Sequence, residues 1–136
     1  MRVESRGRAR ALQALYAWDI RPGQDLATVA DRVWFDLAVS PEERKFASGI
    51  VKTYMKTQRA LDEALIDVTD NWRLERIGAI ERSVLRLGAA EIEQGETPPR
   101  VVIQEAVRLA ERFGSSSSAR FVNGVLDAYA RRAGVL

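Results

Sequence analysis

The sequence predicts an all-α protein, a bundle of about seven helices joined by short turns. Three observations lead there. Apolar residues recur at spacings of three and four along most of the chain. Most prolines, glycines and capping residues fall between those stretches. No segment alternates with period two for long. The one β-like run, Val101-Val102-Ile103, is short and follows two prolines, which suits the first turn of a helix.

The elements follow in order. A first helix is expected over 5–20, with Ala9, Leu12, Leu15, Tyr16 and Ile20 on its apolar side, and Arg21-Pro22-Gly23 ends it. A second, over 26–38, carries Leu26, Val29, Ala30, Val33 and Leu37. Ser40-Pro41-Glu42-Glu43 is a helix start, with a serine cap, a proline in the first turn and acids next. That third helix is expected over 41–57, with Phe46, Ile50, Val51 and Tyr54 inward, and a fourth over 60–69, with Leu61, Leu65, Ile66 and Val68. Asp70-Asn71-Trp72 reads as a turn. The fifth helix, over 75–94, aligns Ile77, Ile80, Val84 and Leu87, and Gly95 closes it. Gly88 lies on that same stripe, where a glycine lets a neighbouring helix come close. A sixth, over 99–113, puts Val102, Ala106, Leu109, Ala110 and Phe113 inward with Gly114 as its cap. Ser115 to Ser118 offer N-caps for a seventh, over 118–132. No linker divides the chain, so residues 1–136 are expected to form one domain.

Composition narrows the function. There is no cysteine and no histidine, which removes thiolate chemistry, the commonest zinc ligands and the commonest general base. No glycine-rich phosphate loop, nucleophile elbow or metal-ligand spacing occurs, so neither an enzyme nor a cofactor or metal is expected. No apolar run approaches the roughly 18 residues of a membrane span. No signal-peptide core follows the charged start MRVESRGRAR, so a cytoplasmic protein is expected. The net charge is only +2, yet 18 of the 21 basic residues are arginine. A GC-rich genome would produce that bias, and so would phosphate recognition by arginine forks.

Placement is more informative than count. Arg2, Arg6, Arg8 and Arg10 stand against one acid, Glu4. Arg2, Arg6 and Arg10 recur every four residues and Gln13 continues their face. A helix N-terminus carries roughly +0.5 charge and favours acids there by about 0.3–1 kcal/mol each. Arginines at that place are not what folding favours, whereas a bound phosphate would draw on both the amides and the guanidinium groups. A solvated basic tail is the other reading. On the seventh helix, Val122, Val125, Leu126 and Tyr129 make a core stripe, and the mid-helix Gly124 suggests close approach of another helix. Phe121 lies off that stripe. It is either a second-ring core residue, the usual case, or an exposed platform for a nucleobase beside Arg120. On the fifth helix, Glu81, Arg82, Arg86 and Glu91 form either an exposed ion-pair ladder or a protein-docking face.

Four blocks carry a family resemblance. Arg8-Ala9-Arg10-Ala11-Leu12-Gln13-Ala14-Leu15-Tyr16 resembles the opening helix of the NusB family of bacterial transcription antitermination factors. Ile80-Glu81-Arg82-Ser83-Val84-Leu85-Arg86-Leu87 with Glu91 resembles its central helix. Val102-Ile103-Gln104-Glu105-Ala106-Val107-Arg108-Leu109-Ala110 and Phe121-Val122-Asn123-Gly124-Val125-Leu126-Asp127 resemble its last two, the final block being the most diagnostic. The resemblance implies two packed helical subdomains. It implies binding to the boxA element of ribosomal RNA leader transcripts, jointly with the small-subunit ribosomal protein that acts as NusE, and read-through by the RNA polymerase antitermination complex.

Carried over by position, Arg6, Arg8, Arg10 and Tyr16 fall in the basic RNA-facing region, and Arg120 and Phe121 in a second RNA-facing patch; Arg2 and Gln13, which share the helix face of Arg6 and Arg10, are expected to bind RNA with them. Glu81 and Arg86 match the surface that meets the ribosomal protein, and Glu91 on the same helix is expected to join them in binding it. Many family members carry a denser arginine cluster where this chain has Glu4 and Ser5, and acids near Ser116 and Ser117. The same fold also opens a family of ribosomal RNA cytosine methyltransferases, and no methyltransferase domain is expected here. The alternative is a helical protein-interaction module or homodimer without an RNA role of its own; Glu4, which dilutes the basic cluster, is its cue.

Overall fold

Six α-helices and one 3-10 turn carry the fold in the computed structural model, which describes residues 2–69 and 74–136. The expected turn at Asp70-Asn71-Trp72 lies outside those residues. Among the described residues there is no strand. The helices are α1 (Val3–Asp19), α2 (Leu26–Asp36), α3 (Pro41–Val68), α4 (Ala79–Gln94), α5 (Pro99–Phe113) and α6 (Ser116–Arg132).

Most starts and stops are the ones the sequence encodes. The Asp25 carboxylate accepts from the Thr28 amide at 3.1 Å and opens α2. The Ser40 hydroxyl accepts from the Glu43 amide at 3.2 Å, with Pro41 in the first turn of α3. Gly95 closes α4 in the left-handed region, at φ 74°. Pro99 begins α5, and Ser115 caps α6 through the Ser118 amide at 3.1 Å.

Two boundaries differ from expectation. The segments 41–57 and 60–69 are one continuous helix of 28 residues. The polar stretch Lys56-Thr57-Gln58-Arg59 contains neither glycine nor proline, so nothing in it breaks a helix. The Thr53 and Thr57 hydroxyls bond back to the carbonyls of Gly49 and Thr53, at 3.1 and 2.8 Å, as mid-helix threonines do. Buried Leu61 and Leu65 then prolong the stripe of Ile50, Val51 and Tyr54. The expected helix 75–94 is instead a 3-10 turn (Leu74–Arg76) followed by α4, which starts after Gly78.

α1 packs on α2, α3 and α4; α4 packs on α3, α5 and α6; and α5 packs on α6. Helices α1–α3 and α4–α6 thus form two groups that share α4 as the central element. Every residue of α4 from Ser83 to Ile92 is buried. Gly88 is where α6 approaches: a Cβ there would lie 2.6 Å from Leu126 Cδ1. Gly124 is different. Apart from its own stretch of helix, nothing lies within 4 Å of where its Cβ would be, so the close approach expected there is absent.

Candidate nucleic-acid interface

The exposed edge of α1 is built around one acid. The Arg6 and Arg10 guanidinium groups both reach Glu43 of α3, at 3.3 and 3.1 Å, and Arg10 also donates to the Gln13 side-chain carbonyl at 3.2 Å. Burial pushes the Glu43 carboxyl up, but hydrogen bonds from Arg10 and Ser40, the Arg10 charge and a hydrogen bond from Arg6 outweigh it and hold the group below the usual carboxylate range. The two arginine side chains remain 40% and 28% exposed. Each therefore touches both Glu43 and solvent, and an incoming phosphate can share it. The Arg10 carbonyl accepts from Trp34 Nε1 at 3.0 Å, which ties this edge to α2, and Arg44 lies over the Trp34 ring. Arg2 is exposed at the start of α1, whose first turn has no side-chain cap; Gln13 and Tyr16 are half-buried further along.

Arg8 is not part of this edge. It is 5% exposed and grips Glu91 with two bonds, Nε to Oε1 at 2.8 Å and Nη2 to Oε2 at 2.6 Å. Its Nη1 reaches Glu105 at 3.1 Å, and the guanidinium lies over the Phe46 ring. Glu91 is 1% exposed. Two residues expected on separate surfaces, one facing RNA and one facing a protein, are bonded to each other inside the protein. The physical reason is their position. Arg8 precedes Leu12 and Leu15 at spacings of four and three, and Glu91 follows Val84 and Leu87 in the same rhythm. Each is the charged member of an apolar stripe, and a charge buried there needs a partner. That spacing was the signal available in the sequence.

Arg86 is likewise internal. Its Nη1 donates to Asp19 at 2.8 Å, and its Nε and Nη2 donate to Asp62 at 3.2 and 3.3 Å. Arg82 clasps Asp19 as well, with 2.8 Å from Nε to Oδ1, and donates to the Leu74 carbonyl. The Tyr54 hydroxyl donates to Asp62, and Arg86 lies over the rings of Trp18 and Tyr54. Burial pushes Asp19 up, but hydrogen bonding and charge from Arg82 and Arg86 hold its carboxyl below its ordinary value. Burial also pushes the Tyr54 phenol far above its ordinary range. The expected choice between an exposed ladder and a docking face therefore resolves to neither for Arg82, Arg86 and Glu91: they bolt α4 to α1, α3 and the 3-10 turn. Glu81 is half-buried and takes no part in that network. Its carboxylate accepts from the Ser118 hydroxyl and so meets the first turn of α6.

The second patch is at that same place. Arg120 and Phe121 are exposed on α6, and Arg120 donates to the Ser117 hydroxyl at 3.3 Å. Phe121 is 37% exposed, while Val122, Val125, Leu126 and Tyr129 fill the core. The usual core role is thus not the one this phenylalanine has, because the helical period turns it away from the stripe. The structure brings Glu81 to the first turn of α6, the helix that carries Arg120 and Phe121, and leaves Arg6, Arg10 and Gln13 on α1; α4 packs against both helices. Asp19 and Asp62, which pair with Arg82 and Arg86, carry no signal in the sequence that marks them as partners, and Glu43 and Glu105 stand there only as members of a helix start and of a family block. No group of three or more Asp or Glu residues is placed to hold a metal ion among the described residues. None of the described helices is long and apolar enough to cross a membrane.

The profile of the NusB family matches residues 5–131. A transcription antitermination protein NusB from Sorangium cellulosum is 42% identical over 135 residues, covering 98% of this chain and 96% of that protein. Its counterpart from Anaeromyxobacter dehalogenans is 42% identical over 126 residues, covering 90% and 87%. Among solved structures, the antitermination factor NusB in a crystal with NusE and double-stranded RNA superposes with a TM-score of 0.88 at 28% identity, covering 97% of this chain and 98% of that one. NusB from T. maritima superposes at 0.86 with 27% identity, covering 94% and 90%. With the profile spanning nearly the whole chain and two full-length relatives above 40% identity, the chain belongs to the NusB family.

Proposed function

We propose that this chain is an RNA-binding transcription antitermination factor. It binds a boxA-like single-stranded element of ribosomal RNA leader transcripts together with the ribosomal protein NusE, and it promotes read-through by RNA polymerase in the cytoplasm. It contributes binding surface and no covalent chemistry, and residues 1–136 act as one RNA-binding unit. The observation that carries this reading is the likeness, over 97% of the chain, to a NusB solved together with NusE and RNA. The partly exposed arginine edge of α1 supports it on chemical grounds.

In this reading Arg2, Arg6 and Arg10 contact phosphates, and Gln13 and Tyr16 line the same edge. Phe121 stacks on a base with Arg120 beside it. Arg8 serves by holding α1 in place and does not touch RNA. Glu81 is the one residue of the expected protein-binding set whose position suits contact with the ribosomal protein; Arg86 and Glu91 act behind it.

The experiment is a salt titration of binding to a labelled U- and C-containing single-stranded RNA, with the ribosomal protein present. Each lost phosphate contact lowers the log–log slope by about 0.7, so Arg6→Ala with Arg10→Ala lowers it by about 1.4. An unchanged slope and affinity in that double variant removes α1 as the contact. Glu81→Arg tests the other face: it should release the ribosomal protein while the fold persists, and retention of the partner moves the docking face elsewhere.

A further inference from the structure

Between the first turn of α1 and the outer side of α5 runs an open groove of about 530 Å³. Its rim carries Arg2 from α1 with Arg108 and Arg112 from α5, and Val101, Glu105 and Leu109 lie between them. The charges are sorted by depth. Glu105, the one acid of the lining, is mostly buried and accepts from the Ser5 hydroxyl and from Arg8. Arg8 is itself buried, so the bottom of the groove is neutralised internally. The rim is not. Arg108 is 75% exposed with a single 3.4 Å contact to Glu105, and Arg112 lies over the ring of its neighbour Phe113. With Arg8 bonded to Glu91 and Glu105, the exposed rim carries three arginines, Arg2, Arg108 and Arg112, and no acid.

The arginines of α5 follow a pattern of their own. Arg100, Gln104, Arg108 and Arg112 recur every four residues on the exposed side, a step of about 6 Å and a run of about 18 Å. Nothing in the packing of α5 uses them; its buried residues are Val102, Ile103, Ala106, Leu109 and Ala110. The ladder repeats the four-residue rhythm of Arg2, Arg6 and Arg10, and Arg2 lines the groove with Gln104, Arg108 and Arg112.

We propose that this groove is a second phosphate track, along which a single-stranded RNA held at the edge of α1 continues past Arg2 onto Arg108 and Arg112. The inference rests on the RNA-binding function proposed above and names residues of α5 that the family resemblance does not assign. Three features select a polyanion as the occupant. The exposed charge at the rim is all positive. The apolar floor is one half-exposed valine with a buried leucine, too little for the centre of a protein interface. Arg2 at the rim is also the first member of the series Arg2, Arg6 and Arg10, so the groove and the edge of α1 share one arginine. Arginine forks spaced along a helix suit successive phosphates, and the open face leaves the bases free to turn outward.

The test uses the intact chain with the ribosomal protein and a labelled U- and C-containing RNA of about 14 nucleotides, within the usual span of single-strand sites. Binding is followed between about 50 and 200 mM salt for the parent, Arg108→Ala with Arg112→Ala, the same pair changed to lysine, and Arg6→Ala with Arg10→Ala. The alanine pair on α5 should lower the salt slope by about 1.4, two contacts at about 0.7 each, and the lysine pair should keep it near the parent value. If the α5 alanine pair keeps the parent slope and affinity while the α1 pair loses both, the track is refuted and the proposed function stands. If the α5 pair releases the ribosomal protein at an unchanged RNA slope, the groove is a protein site and the track is again refuted. If the parent binds no RNA, the proposed function fails and takes the track with it. The lysine pair, which preserves size and charge, decides the matter if the alanine pair disturbs the fold.

Discussion

Replacing Arg8 with methionine should be among the most damaging single changes in the molecule, and it should damage stability rather than RNA contact. The variant keeps most of the aliphatic stem and removes the guanidinium. Glu91, 1% exposed, then loses both of its bonds at 2.8 and 2.6 Å, and Glu105 loses the one at 3.1 Å. Breaking one side of a buried pair leaves the other charge uncompensated and costs about 3–5 kcal/mol. Unfolding entropy scales at about 2.1 cal/mol/K per residue, so a chain of 136 residues melts about 10–17 °C lower for that loss. The pair does not stabilise by that amount in an absolute sense. Changing Arg8 and Glu91 together to methionine removes both charges and their desolvation, and should restore most of the melting temperature.

The double variant carries the functional half of the prediction. Calorimetry or thermal circular dichroism measures the cycle, and the salt titration of RNA binding is repeated on the double variant. Its slope should equal the parent's, because a guanidinium facing Glu91 and Glu105 has no phosphate to lose. Two results would refute the reasoning. A fall of less than about 3 °C for Arg8→Met would mean that the pair does not bear on the fold. A slope lower by about 0.7 in a double variant that melts normally would mean that Arg8 reaches RNA after all.

Acid should weaken the fold through Asp19 and Glu43. Both carboxyls are held below their ordinary values of 3.8 and 4.5, so each binds a proton more readily in the unfolded chain. Their contribution is complete above those values and is lost as pH falls through the lower folded ones; Asp19→Asn should flatten the loss of stability below about pH 4 measured by urea titration, and an unaltered profile would exclude Asp19. The two mid-helix glycines should respond oppositely to alanine. Gly124→Ala meets open space and should gain about 0.5–1 kcal/mol, whereas Gly88→Ala drives a methyl against Leu126 and should gain nothing or lose stability; equal gains would show that α4 and α6 are not in close contact there. Phe121→Ala should leave the melting temperature within a few degrees and weaken RNA binding by about 1–3 kcal/mol, and a stability loss without an RNA effect would return Phe121 to the core.

Local rules made most of the helices legible, because caps and breakers act locally. Pro99, Gly95 and Ser40 announce themselves through fixed dihedral angles or a spare oxygen, and no tertiary context is needed to see them. The run from Lys56 to Arg59, where the two expected helices meet, is polar but holds no breaker. A solvent-exposed stretch of a long helix is also polar, and only a breaker distinguishes the two. Arg6 and Arg10 were placed correctly at the surface by their period. Arg8, two residues from each, is turned by about 200° around the helix, and that places it on the apolar side with Leu12 and Leu15. What the sequence could not supply was its partner, since Glu91 is 83 positions away and only the packing of α1 on α4 joins them.

The same sorting bears on how a chain of net charge +2 presents a surface for RNA. Inside, three arginines, Arg8, Arg82 and Arg86, face four carboxylates, Glu91, Glu105, Asp19 and Asp62. That network sums to −1, so the groups outside it sum to +3. The dipole at the start of α1 therefore does not by itself imply a ligand for every arginine there, because Arg8 is accounted for by folding and Glu43 offsets part of Arg6 and Arg10. Arginine serves both uses through one property. A planar fork that pairs two oxygens fits a buried carboxylate and a passing phosphate equally well. Composition consequently cannot tell a bolt from a contact. The discriminating quantity is where each guanidinium falls against the apolar stripe: those on it, like Arg8, find acids across the core, and those off it, like Arg2, Arg108 and Arg112, stay at the surface, where the proposed RNA would meet them.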